Sequence, residues 1–208
     1  MILSDKTIIE LNKSGILFES PLDERQIQPN SVDLTLSDTF KSIKGNHLMM
    51  SVPLPKGRTT AFYEKNCIDL AKPIKYKETV VEDNHFFLMP NSFVLAATNE
   101  ILNIPNGTVG VVCGRSSLAR VGLITESAGF VDAGFKGTIT LELYNQTHLP
   151  IKLYLNMRIA QIYFLKSEES ERLYGKGIGS KYSGQIETTG SRIHLDFQDT
   201  IIGECANG

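Results

Sequence analysis

At 208 residues the chain is long enough for one domain with a complete core, or for a domain with extensions. Hydrophobic residues at 41% and charged residues at 21% are ordinary for a soluble globular protein, and a net charge of -2 supplies no basic field for nucleic acid. No apolar run is long enough to span a bilayer, and the opening Met1-Ile2-Leu3-Ser4-Asp5-Lys6 lacks the charged-then-apolar order of a signal peptide.

Cys67, Cys113 and Cys205 are odd in number and form no Cys-x-x-Cys pair, which argues against a disulfide framework and fits a reducing cytoplasm. Cys113, in an apolar run, reads as a small buried hydrophobe. With so little net charge, an anionic ligand has to be met by a local cluster, which suits a small molecule better than a polymer.

Ser4 is placed to cap a short helix carrying Ile8, Ile9 and Leu11, with Gly15 as its stop. After Gln28-Pro29-Asn30, residues 31–36 alternate apolar and polar as a half-buried strand does. Residues 41–84 carry Pro53, Pro55, Gly57 and Pro73 among charged side chains, the pattern of loops joining short strands rather than of a separate domain. The apolar run 86–95 is broken at Pro90-Asn91-Ser92, a turn signal. Short strands are then expected over 93–97, 109–113, 138–144, 151–153 and 158–164, with a turn at Pro105-Asn106-Gly107. So many short, regularly punctuated strands predict an all-β sandwich or barrel. From Lys166 onward, glycines at 175, 177, 179, 184 and 190 alternate with Lys176, Lys181 and Arg192, which reads as a mobile tail. The expected division is therefore a β domain over 1–165 and a tail over 166–208.

Three stretches carry chemistry. Strand alternation over 138–144 puts Glu142 on the face shared with Thr138, Thr140 and Tyr144, opposite Ile139, Leu141 and Leu143. A carboxylate there is either a general base or acid whose proton affinity is raised by burial, or a surface glutamate on a solvent face; spacing does not decide. Gly114-Arg115-Ser116-Ser117-Leu118-Ala119-Arg120 reads as a strand end entering one helical turn capped by Ser116 or Ser117. It is either a phosphate cradle or an ordinary capped turn. Asp132, within Phe130-Val131-Asp132-Ala133-Gly134, is by itself a turn aspartate. Zinc-type nucleobase deamination needs His-x-Glu with Pro-Cys-x-x-Cys, and the chain has neither. It also lacks a Walker loop, a Gly-x-Gly-x-x-Gly turn after a strand and Gly-x-Ser-x-Gly.

Taken in order, these segments resemble the dCTP deaminase family of the dUTPase-like superfamily. The likeness runs through Met1–Asp5, 28–34, 114–120, 128–135, 139–143, 149–153, 157–161, and Ser180-Lys181-Tyr182 with Gln185, and is weakest over 41–84. It implies a distorted β-barrel or jelly-roll (β-clip) with a short N-terminal helix, assembled as a homotrimer with active sites at subunit interfaces. On this resemblance Glu142 is the general base and proton shuttle. Ser116 and Arg120, from a neighbouring subunit, hold the water and developing charge, and the Ala128 carbonyl orients the water. Arg115 and Ser117 are phosphate ligands, Asp132 contacts the deoxyribose 3′-hydroxyl, and Tyr174, Lys181 and Gln185 close over base and triphosphate. Mg²⁺ is implied only as a partner of the triphosphate, zinc not at all, and dTTP as an inhibitor.

The first expectation for the reaction is dCTP to dUTP and ammonia. The alternatives are a bifunctional enzyme giving dUMP and pyrophosphate, a dUTPase alone, or a non-catalytic nucleotide-sensing trimer. Ala128-Gly129-Phe130-Val131-Asp132 looks more like the bifunctional subgroup, since single-function members often carry a basic residue at the position of Phe130. One departure stands out: before Asp132 the family usually has one more residue, including a histidine, whereas here Ile124-Thr125-Glu126-Ser127-Ala128 has none. In the family that loop forms part of the pyrimidine pocket, so the departure leaves two alternatives open, an altered substrate such as a modified cytosine nucleotide or loss of deamination.

Overall fold

The computed structural model describes residues 1–19, 21–44, 67–126, 129–175 and 180–197, so Ala128 and the middle of the 41–84 region lie outside the described residues. The chain divides into two compact units, Met1–Lys41 with Glu78–Thr189, and Ser42–Lys77 with Gly190–Gly208. In chain order the elements are helix α1 (Asp5–Lys13) and strands β1 (Ile27–Gln28), β2 (Ser31–Ile43), β3 (Tyr76–Val80), β4 (His85–Leu88), β5 (Phe93–Thr98), β6 (Leu102–Asn103) and β7 (Thr108–Gly114). They continue with helix α2 (Ser116–Ala119) and strands β8 (Leu123–Glu126), β9 (Phe130–Val131), β10 (Lys136–Gly137), β11 (Thr140–Asn145), β12 (Ile151–Tyr154) and β13 (Arg158–Lys166).

The expected all-β architecture is what forms. A nine-stranded sheet runs β8-β11-β5-β2-β13-β7-β9, with β1 and β3 also pairing with β2, and two small sheets, β10-β6 and β12-β4, complete the described strands. β2 is the organising strand. Its first half, Val32 to Thr35, pairs with β13, and its second half, Leu36 to Lys41, pairs with β5. Register shifts interrupt both ladders, and such irregularities bend a strand and increase its twist, which curls the sheet on itself. β2 extends well past residue 36, where polar residues obscure the alternation, because Phe40 stays buried and opposite Ala96 of β5.

The core lies inside this curl. Leu34, Leu36, Phe40, Leu141, Leu143, Ile162 and Phe164 are fully buried, Ile8 of α1 packs into the same cluster, and Phe18 meets Phe164 edge-on at 5.9 Å. An aromatic pair in that geometry adds about 1 kcal/mol beyond its burial. In the second unit the Tyr76 hydroxyl accepts the Ser191 N–H at 3.0 Å, and a 3-10 turn covers Ile193–Phe197.

Two local expectations are corrected. The helical turn after β7 is capped by Arg115 in extended conformation, with no side-chain cap bond, so Ser116 and Ser117 lie inside the turn. Cys113 is half-buried, with the Gln161 amide nitrogen 3.4 Å from its sulfur. Of the tail, residues 184–189 fall in the first unit and make the bonds given below.

Candidate active site

One group of candidate residues surrounds an open groove of about 450 Å³ lined by Gly114, Arg115, Ser116, Ser117, Ala119, Leu123, Ile124, Thr125 and Gln161. The groove exists because the β7–β13 ladder ends at Gly114 opposite Ala160, and the chain turns into α2. Gly122, at φ +77°, then reverses it into β8, a conformation that costs a residue with a Cβ far more than glycine. Within α2 the N–H groups of Leu118 and Ala119 donate to the Arg115 carbonyl, which leaves the exposed Ser116 and Ser117 side chains at the groove edge.

Arg115 is held from beneath. Its Nε lies 3.3 Å from Oδ1 of Asp33, and its Nη1 donates to the Arg158 carbonyl at 3.4 Å. Arg158 Nη1 donates to the other Asp33 oxygen at 3.1 Å, and Gln28 Nε2 approaches that same oxygen at 3.4 Å. The Asp33 side chain is 2% exposed, and a carboxylate so deep is tolerated because it is paired and hydrogen-bonded. Two guanidinium groups share one carboxylate, so the assembly carries net positive charge toward the groove.

A second group lies around β11. Glu142 sits in mid-strand, half-buried, with Oε2 shielded from solvent. The backbone register sets it opposite Leu95 of β5 and Glu126 of β8. Asp132 is exposed in the turn between β9 and β10, where its carbonyl accepts the Phe135 N–H at 3.1 Å. Tyr174 packs its ring 5.7 Å from that of Phe135, donates its backbone N–H to Ala133, and accepts the Tyr182 N–H on its hydroxyl at 3.1 Å. Lys181, next to Tyr182, is half-buried.

Gln185 is locked to the start of the β10–β11 segment. Thr138 N–H donates to its carbonyl at 2.9 Å, and its side-chain Nε2 donates to the Thr138 carbonyl at 2.7 Å. Gly184 N–H donates to Lys136 at 2.7 Å, the buried Thr188 hydroxyl donates to the Thr39 carbonyl at 2.6 Å, and Thr189 N–H reaches Thr140 Oγ1 at 3.1 Å. The segment 184–189 therefore runs alongside the strand that carries Glu142, and Thr140 shares Glu142's face by strand alternation.

The structure thus gathers Arg115, Ser116 and Ser117 in one place, and Tyr174, Gln185 and the Asp132 turn in another with β11. Glu142, Arg120, Asp132, Tyr174, Lys181 and Gln185 are not among the residues lining the groove. Arg120 follows α2 as an exposed residue whose N–H donates to the Ser116 carbonyl. Along β11, Glu142 alternates with the fully buried Leu141 and Leu143, so its side chain projects from the face opposite theirs. Sequence reasoning missed Asp33, Arg158, Thr125 and Gln161. The available signal for Asp33 was a charged residue between Val32 and Leu34 in an alternating strand.

In its curled sheet the protein has the fold of a crystallised 2′-deoxycytidine 5′-triphosphate deaminase from Agrobacterium tumefaciens, at a TM-score of 0.58 and 23% identity over 80% of this chain. This chain spans 48% of that longer one. Residues 2–167 match the dCTP deaminase-like family model. A protein of Persephonella marina named dCTP deaminase, dUMP-forming, is 43% identical over 196 residues, covering 94% of this chain and 99% of that protein. A relative of the same name from Sulfurihydrogenibium sp. is 44% identical over 197 residues, covering 94% and 99%. The chain belongs to the dCTP deaminase-like family.

Proposed function

We propose that this protein is a bifunctional enzyme that converts dCTP to dUMP, ammonia and pyrophosphate. The observation that carries this reading is near-full-length similarity to relatives named dUMP-forming, over a chain that retains Arg115, Ser116, Ser117, Arg120, Asp132 and Glu142. It replaces the first expectation from sequence, dUTP as the final product. Phe130, 60% exposed beside Asp132, agrees with it as the subgroup's mark.

In the first step Glu142 takes a proton from a water molecule that adds to C4 of cytosine, and N3 gains a proton. The hydroxyl proton at C4 then passes through the Glu142 carboxylate to N4, the C4–N4 bond breaks as the C4 carbonyl forms, and ammonia leaves. One carboxylate serves both transfers when it is partly withdrawn from solvent, as Glu142 is. Ser116 and Arg120 from a neighbouring subunit stabilise the charge at the tetrahedral centre, and the Ala128 carbonyl orients the water. Arg115 and Ser117 hold the phosphates and Asp132 the 3′-hydroxyl. In the second step a water adds to the α-phosphorus, guided by Asp132, and pyrophosphate departs.

The groove lining offers guanidinium, hydroxyl and amide groups and no carboxylate, a donor set for phosphate oxygens rather than for a metal. Mg²⁺ would therefore enter on the nucleotide, where it neutralises charge between the phosphates. A homotrimer supplies the missing half of each site, and the tail over 166–208, with Tyr174, Lys181 and Gln185, closes over base and triphosphate and excludes bulk water.

The test is incubation with dCTP or dUTP and Mg²⁺, followed by chromatography and an ammonia assay. The proposal expects ammonia, dUMP and pyrophosphate from dCTP. Accumulation of dUTP with no dUMP restores the single-function reading, and hydrolysis of dUTP without release of ammonia from dCTP reduces the protein to a dUTPase. Absence of turnover on both nucleotides leaves a nucleotide-sensing trimer.

A further inference from the structure

We infer that Asp33 is a positioning residue for the nucleotide's phosphates: from inside the sheet it sets the orientation of Arg115, so triphosphate affinity depends on a side chain that touches no ligand. This rests on the phosphate-binding reading of Arg115 given above.

A guanidinium on a flexible stem binds phosphate well only when its planar fork is held in place, because otherwise its rotamer freedom is lost on binding. At Arg115 that restraint is built in. The Nε edge faces the buried Asp33 carboxylate and Nη1 is engaged with the Arg158 carbonyl, while Nη2 makes no hydrogen bond among the described residues. The side chain is 28% exposed and lines the groove beside Ser116 and Ser117, so the unengaged edge is what a phosphate oxygen meets. Asp33 is fixed in turn. It lies in the part of β2 that pairs with β13, opposite Gln161, with Val32 and Leu34 buried on either side.

Arg158 makes the arrangement specific. A lone Asp–Arg pair would cancel Arg115's charge where the ligand binds. Because Arg158 Nη1 engages the second oxygen of Asp33, the three groups together carry one net positive charge. The carboxylate thus fixes Arg115 without neutralising the site, and β2 and β13 join a groove otherwise built from the segment 114–125.

The experiment uses the full chain with Asp33→Asn, Arg115→Ala and the double variant. Calorimetry measures binding of α,β-imido-dUTP, a slowly cleaved triphosphate with no amino group to lose, and an NMR titration measures 2′-deoxyuridine, which has no phosphate. Asp33→Asn is expected to weaken the imido-triphosphate about tenfold, as loss of one oriented charge-assisted contact would. It leaves the nucleoside unchanged and adds nothing further once Arg115 is alanine. Equal loss for nucleoside and triphosphate, or a full tenfold loss persisting in the Arg115→Ala background, overturns the inference and makes Asp33 a fold element only. Should Asp33→Asn fail to fold, Asp33→Glu keeps the charge and displaces the guanidinium; wild-type triphosphate affinity in that variant overturns the inference equally. Wild-type protein that binds neither probe overturns the parent reading as well, whereas tight wild-type binding without coupling sinks this inference alone.

Discussion

Gly137 is the position where one methyl group separates the tail from the body. Its φ of +139° is a backbone state that residues with a Cβ rarely adopt, and a Cβ built there would run into the backbone carbonyl oxygen of Gln185, with the Gln185 nitrogen at 3.1 Å. Backbone cannot swing aside as a flexible side chain can, so Gly137→Ala displaces the segment around Gln185. Three hydrogen bonds depend on that segment: Thr138 N–H to Gln185, Gln185 Nε2 to Thr138, and Gly184 N–H to Lys136. At about 1 kcal/mol net apiece the latch weakens by about 3 kcal/mol, roughly a hundredfold in the latched population. Amide hydrogen exchange at Thr138 and Gly184 reads this directly, and both N–H groups should exchange about a hundredfold faster than in the wild type. Unchanged exchange at both amides refutes the reasoning. Faster exchange with wild-type turnover separates the latch from catalysis and removes tail closure from the mechanism.

Glu142→Gln should preserve assembly and nucleotide binding while lowering the deamination rate by about a thousandfold, the usual scale of a lost general base; ammonia release from dCTP checks it. Glu142→Gln and Arg120→Ala chains, each inactive alone, should together recover about a quarter of wild-type activity on co-refolding, because randomly mixed trimers place a native Glu142 next to a native Arg120 at that fraction of interfaces. No recovery would put both residues of each site on one chain. Asp23 accepts hydrogen bonds from the Arg25 side chain and backbone N–H, which lower its pKa from 3.8 to about 2. A folded value below the unfolded one is stabilising above the unfolded pKa, and that stabilisation is lost as pH falls through about 2. Arg25→Ala should move the Asp23 midpoint, followed by NMR, back up toward 3.8.

Much of the sheet could be read from period-two burial. Strands β5, β7 and β13 fall where apolar residues alternate or cluster between turn signals, and Asn91, at φ +53°, supplies the turn expected at Pro90-Asn91-Ser92. The second half of β2 was hidden because Ser37, Asp38 and Thr39 carry no strand signal; β5 makes them a strand by offering a ladder. The order of the tail was hidden for a related reason. Its attachments use backbone groups of Lys136 and Thr138 and hydroxyls of Thr140 and Thr188, and no pattern of side-chain polarity encodes a backbone partner. Asp33 marks the sharpest limit, since its partners stand on β13 and at the end of β7, far along the chain. A charge inside an apolar strand announces that it has partners, but only the fold names them.

The same distinction governs the candidate site. The family resemblance selects Arg115, Ser116, Ser117, Arg120, Asp132 and Glu142 together, with Ser116 and Arg120 supplied by a neighbouring subunit. On β11 a pleated strand sends adjacent side chains to opposite faces, so Glu142 points away from Leu141 and Leu143. A single-residue slip would turn Glu142 toward the core and drive Leu141 and Leu143, both fully buried, out of it. At about 25 cal/mol per Å² of apolar surface, exposing two leucines costs several kcal/mol, a large share of the stability of a domain this size. Burial of those leucines therefore dictates which way Glu142 faces. The co-refolding experiment above then decides whether Arg120 meets that face from the same chain or from a neighbouring one.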